Sequence, residues 1–209
     1  MASDYDKIFK TINQELTKDG NYPKYLKRQL QTGLNKLSNE IGKFYERTYD
    51  YSNDLDKAVE NYRIENELSI RDCYIDRKTG YLPQAYGVPD DLRKAYSSYY
   101  SIRKNWLTTE RRESIRKLYQ MLNSIDNADK KELAQEISTV YSLINSNSFN
   151  NDIKDVTQLY KNKEEYGLST DLDKNLKEMR QPFKKLNNNL VKLNNKYDLE
   201  VDFDNMVLY

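Results

Sequence analysis

Apolar and half-apolar side chains recur at steps of three and four along Leu34, Leu37, Ile41, Phe44, Thr48, Tyr51, Leu55, Ala58 and Tyr62. That period predicts a helix packed along its length against another helix. A second seam, Leu172, Leu176, Met179, Phe183, Leu186, Leu190, Leu193 and Tyr197, closes the chain. The first predicts a long helix over 23–68, opened by Pro23 and weakened at Gly33 and Gly42. The second predicts a helix over 169–198, kinked at Pro182, whose ring cannot continue the hydrogen-bond ladder. Leu34 to Phe44 is the part of the first seam best matched to the second, as an antiparallel pair within one chain. The Tyr-rich remainder suits a hairpin, another helix or another subunit.

Between the seams the pattern changes. Tyr5, Ile8, Phe9, Ile12 and Leu16 form one face of a short amphipathic helix that ends at Asp19-Gly20-Asn21. Residues 69–89 hold two of the four prolines and two of the six glycines. Asp76 to Gly80 is turn chemistry between Tyr74-Ile75 and Tyr81-Leu82, which predicts a small β-hairpin. Helical periodicity resumes over 90–168, with Asp90 or Asp91, Thr108 or Thr109, and Asn127 as starting residues. The polar run 145–151 reads as a loop. Residues 199–209 begin with apolar and acidic positions in alternation and read as an extended acidic arm. The expectation is an all-α protein: a single elongated helical domain over 1–198 with two long heptad-patterned helices and a hairpin insertion, followed by the arm.

Composition supports a narrow core. Only 37% of the 209 residues are hydrophobic, against about 45–50% in an ordinary globule. Nineteen tyrosines make up much of that fraction, and Tyr pairs a large ring with a hydroxyl that suits half-buried seams and interfaces. Tyr51, Tyr62, Tyr81 and Tyr86 are therefore interface candidates. Leu199, Val201 and Phe203 join them as one side of the arm. Asp198, Glu200, Asp202 and Asp204 form the arm's acidic side, suited to a basic surface on a neighbouring subunit.

Charge and residue inventory narrow the chemistry. The net charge is +1, from 34 basic and 33 acidic residues, so overall charge gives no pull toward nucleic acid or membrane. The chain has no His and one Cys, Cys73, which removes Ser–His and Cys–His catalysis, Cys/His zinc sites and intramolecular disulfides. Asp54/Asp56, Asp171/Asp173 and Asp202/Asp204 are Asp-x-Asp pairs, but they lack the glycine turn and distal Glu of a calcium loop. Ser101–Lys104 and Ser114–Lys117 fit Ser-x-x-Lys, and Lys78-Thr79-Gly80 fits Lys-Thr-Gly. Their order and helical surroundings make them chance matches. No catalytic residue, cofactor or metal site is expected.

One cluster does suggest binding. Arg93, Lys94, Arg103, Lys104, Arg111, Arg112, Arg116 and Lys117 face only two acids in the same stretch, with Tyr96, Tyr99, Tyr100 and Trp106 interleaved. Cations contact phosphates and aromatics stack on unpaired bases, so nucleic acid is one possible partner. The plainer reading is a solvated face whose aromatics turn inward, because Leu92, Tyr96, Tyr99 and Ile102 make a stripe by themselves.

The expected function is a non-enzymatic assembly protein that oligomerises through helix seams and Tyr-rich faces. A connector or ring subunit of a phage virion is one such protein, and the abundance of Lys, Asn, Tyr and Ile is of the kind AT-rich genomes encode. The alternative is a nucleic-acid-binding or regulatory module built on 93–117. Synthesis in the cytoplasm is expected, since no leading signal and no apolar run of about 20 residues is present.

Overall fold

The computed structural model describes residues 22–73, 87–169, 171–204 and 206. The short helix expected at 5–16, the hairpin expected at 74–82, and Tyr81 and Tyr86 lie outside the described residues. The described chain is all-α, and no strand occurs among these residues.

The helices are α1 (Tyr22–Glu46), α2 (Thr48–Glu65), α3 (Asp90–Ser101), α4 (Thr109–Met121), α5 (Lys130–Asn145), α6 (Asn147–Leu159), α7 (Leu172–Arg180) and α8 (Phe183–Tyr197). They stack end to end into four columns: α1–α2, α3–α4, α5–α6 and α7–α8. Around the lower end, α1 packs on α4, α4 on α5, α5 on α8 and α8 on α1. Around the upper end, α2 and α3, α3 and α6, and α6 and α7 are in contact, and α7 returns to α1. Neighbouring columns run antiparallel. Lys27 and Gln31 reach Asn123 while Tyr45 meets Arg112, and Lys36 meets Gln181 while Arg47 faces Asp171. The result is an up-down-up-down bundle.

Each column is broken once. The expected helix 23–68 is two helices, because Arg47 leaves helical geometry (φ −104°, ψ 12°). Thr48 Oγ1 there bonds back to the Phe44 carbonyl at 3.0 Å, a contact that bends helices. The expected helix 169–198 is split at Gln181–Pro182. The run 145–151 is not a loop. Ser146 alone separates α5 from α6 and caps the latter, its side chain accepting from Phe149 N at 3.1 Å. The column α3–α4 passes through a π-turn, Ile102–Trp106, before Thr108 caps α4. Asp129, rather than Asn127, caps α5. Three of these joints meet at one aromatic cluster, where Phe149 lies 5.9 Å from both Trp106 and Phe183. Beside them α1 runs unbroken.

The seams are core, though not a two-stranded coiled coil. Leu34, Leu37, Ile41, Phe44, Leu176, Leu186 and Leu190 are all buried where several columns meet. Gly33 permits the closest approach, since a Cβ there would lie 2.7 Å from Leu186 Cδ2. The chain's end also departs from expectation. Asp198 and Glu200 adopt φ of 50° and 58°, and Leu199 N and Val201 N bond to Asn194. The described part of the arm therefore folds back on its own bundle as a turn. Its apolar side chains find α5 close by, so extension would leave them in water.

Candidate binding groove

With Leu34, Leu37, Ile41 and Phe44 turned inward, helical geometry puts Arg28, Asn35, Asn39, Gly42 and Glu46 on an outer stripe of α1. The same logic on α4, where Ile115 and Leu118 are buried, puts Arg112, Arg116 and Tyr119 outside. The two stripes face each other across a groove of about 870 Å³. Gln31 Nε2 donates to Asn123 Oδ1 at 2.8 Å and Lys27 Nζ to the Asn123 carbonyl at 3.2 Å, which ties α1 to the turn that follows α4.

The groove's charge is mostly positive. Arg28 and Arg116 are exposed. The Arg112 guanidinium lies 4.1 Å from the centroid of the Tyr45 ring, a contact that orients the charge without neutralising it. Among the described residues no carboxylate forms an ion pair with these three arginines. Lys43 differs. It bonds Glu40 at 2.7 Å and lies 3.9 Å from Glu178, and the Glu40 bond raises its pKa. Glu40 is itself buried, and Asn175 Nδ2 donates to its second oxygen at 3.0 Å. Gly42 opens the floor, because a Cβ placed there would meet nothing within 4 Å. A helical glycine with no packing partner costs about 0.5–1 kcal/mol relative to Ala.

The predicted basic stretch is dispersed. Arg93 pairs with Asp90 within the first turn of α3. Lys94, Arg103 and Lys104 are exposed on α3 and the π-turn. Arg111 lies over Trp106, 4.8 Å from the ring centroid, and burial lowers its pKa. Lys117 pairs with Glu132 and Glu136 of α5 at 2.6 and 3.2 Å. Only Arg112 and Arg116 of the eight enter the groove. Tyr96 and Tyr99 are buried, and Trp106 turns inward to donate to Asp152 at 2.9 Å. These rings are not presented for stacking.

The interface candidates among the described residues are engaged within the chain. Tyr51 is fully buried in its own core. Tyr62 donates to the Gly87 carbonyl at 2.7 Å. Leu199 is buried, while Val201 and Phe203 are half-buried, with Phe203 4.4 Å from the Tyr141 ring of α5.

The carboxylates of Asp54 and Asp56 are taken up by hydroxyls. Asp54 accepts from Tyr160 at 2.9 Å and from Ser169 N and Oγ at 2.9 Å each, and Asp56 accepts from Tyr96. Among the described residues no group of His, Cys, Asp or Glu side chains is placed to hold a metal ion. Burial pushes the Cys73 thiol up, away from a reactive thiolate.

The chain matches no protein-family model, no curated protein and no solved structure. Sequence reasoning missed Arg28, Asn35, Asn39 and Gly42. The available signal was a glycine on the polar stripe of a seam helix, seven residues after Asn35.

Proposed function

We propose that this chain is a non-enzymatic structural protein that assembles with copies of itself, as a ring or connector subunit of a virion does. The observation that supports this is the α1–α4 groove. It is open, flanked by two helices and lined mostly by cations and amides, with Glu40 and Glu46 as its acids. Small-molecule sites are enclosed and mostly apolar, so a groove of this kind suits an extended polar partner. The buried seams are used within the chain, which leaves charged outer surfaces for association. No helix among the described residues is long and apolar enough to cross a membrane.

Light scattering over a range of protein concentrations tests the proposal. A defined oligomer at low salt that dissociates as salt rises is the expected result, because exposed charge contacts are screened within about 10 Å at 0.1 M salt. A single-chain mass at every concentration overturns it.

A second reading, nucleic-acid binding, is favoured by the convergence of Arg28, Arg112 and Arg116 in one groove. It predicts that a single-stranded oligonucleotide binds with an affinity falling steeply with salt, and that R28E/R116E abolishes that binding.

A further inference from the structure

The acidic turn at the chain's end and the basic groove lie on opposite sides of the bundle. We propose that the acidic turn of one copy docks on the α1–α4 groove of a second copy. This rests on the self-assembly reading above and names both surfaces of the contact.

The order of columns places the two surfaces. Around the lower end the helices follow α1, α4, α5, α8, so the α1–α4 groove and the α5–α8 side face away from each other. The turn sits on the latter. Val201 N donates to Asn194 Oδ1 of α8 at 3.0 Å, and Phe203 packs on Tyr141 of α5. Ser138 and Ser142 of α5 reach Met206 Sδ at 3.9 and 3.7 Å. No copy can bring its own turn to its own groove.

The turn is built to show acid outward. Two left-handed residues, Asp198 and Glu200, bracket buried Leu199, a backbone state that L-residues disfavour. Val201 and Phe203 lean on the bundle, while Asp198, Glu200 and Asp204 stay exposed. Lys130 and Lys131 of α5 flank the turn, yet neither forms an ion pair with those three carboxylates among the described residues. The groove offers the complement in Arg112 and Arg116, one turn apart on α4, with Arg28 farther along α1 and Glu46 the exposed acid among them. Exposed charges of opposite sign steer association and fix its register. Because the two surfaces differ, the contact is heterologous, and repetition gives a ring if the rotation closes and a filament if it does not.

Charge reversal on the full-length chain tests this. R28E/R116E reverses the groove without touching a packed side chain, and E200K/D204K reverses the turn. Helical circular dichroism confirms that each variant folds, and light scattering at low salt reads the mass. Each variant alone is expected to lose assembly and fall to the single-chain mass. An equimolar mixture is expected to assemble again above the single-chain mass, since each turn meets a groove of opposite sign when the two variants alternate. Wild type that assembles while both variants assemble unchanged overturns this contact and leaves the assembly reading standing. Loss in both variants without recovery on mixing also overturns it. A wild-type monomer removes both. A groove variant that keeps its mass but loses oligonucleotide binding assigns the groove to nucleic acid instead.

Discussion

The two ends of the bundle are held together by different chemistry. The lower end, where α1, α4, α5 and α8 meet, is aliphatic: Leu26, Leu30, Leu118, Leu122, Leu133 and Leu190 fill it. The upper end, around α2, α3, α6 and α7, has aliphatic residues too, Leu55, Leu92, Ile153 and Leu172 among them, but adds buried tyrosines whose hydroxyls end on carboxylates or carbonyls. Tyr96 bonds Asp56, Tyr160 bonds Asp54, Tyr166 bonds Asp91, and Tyr99 donates to the Thr48 carbonyl. A chain with little aliphatic material can still close a second core layer if each large ring carries its own polar exit and finds an acceptor. The upper end depends on hydrogen-bond partners being present, and the lower end on shape.

The largest expected test of that contrast is Asp54→Ala. It leaves the Tyr160 hydroxyl and Ser169 N–H without their acceptor in a buried place, at a cost of about 3 kcal/mol. For a chain of this size the thermal midpoint should fall by about 6–12 °C. A shift no larger than a surface substitution gives would mean that the upper end does not rely on these bonds. Gly33→Ala probes shape at the lower end. The new methyl overlaps Leu186, so a net loss of about 1–2 kcal/mol is expected despite the better helix propensity of Ala. Chemical denaturation reads the difference, and a gain in stability would show that Leu186 simply moves aside.

Tyr96→Phe is expected to cost about 1 kcal/mol by removing the bond to Asp56, and it carries a pH signature. Burial, then the Asp56 bond, raise the Tyr96 hydroxyl's pKa well above its ordinary 10.0. Tyr99 and Tyr166 are raised for the same leading reason. Above pH about 10 the unfolded chain sheds protons that the folded chain retains, so stability falls as pH rises past that point and is unaffected below it. The fall should be shallower in Tyr96→Phe. Equal slopes in a denaturation series from pH 8 to 11 would count against the buried hydroxyl. The smallest effect is Gly42→Ala, where nothing obstructs the methyl. A gain of about 0.5–1 kcal/mol is expected, opposite in sign to Gly33→Ala.

The aliphatic core was legible in advance because a period of three and four residues reports a buried stripe directly. The seam positions from Leu34 to Ala58 that carry large apolar groups are buried. The joints were less so. Pro182 announces itself, but Arg47 breaks a helix with no Pro or Gly at the break, where a Thr hydroxyl bonds to a carbonyl. The stretch 145–151 reads as loop by composition, whereas Ser146 is a cap and Phe149, Ile153 and Val156 keep helical spacing. The groove could not be found from local pattern. Arg28 and Arg112 are far apart in the chain, and only the packing order of the columns puts them along one groove, near its opposite ends. Tyrosines were ambiguous for a physical reason: a ring with a hydroxyl fits an interface and a hydrogen-bonded core equally well.

The unbroken run of α1 past the Trp106–Phe149–Phe183 cluster has a mechanical consequence. Three columns are jointed at that cluster and would bend there under load, but α1, about 37 Å long at 1.5 Å per residue, bridges the weak plane like a splint. Flexing the upper end against the lower requires breaking hydrogen bonds inside α1 itself. A pull across that plane would thus be carried along one continuous helix, up to the break at Arg47 above it.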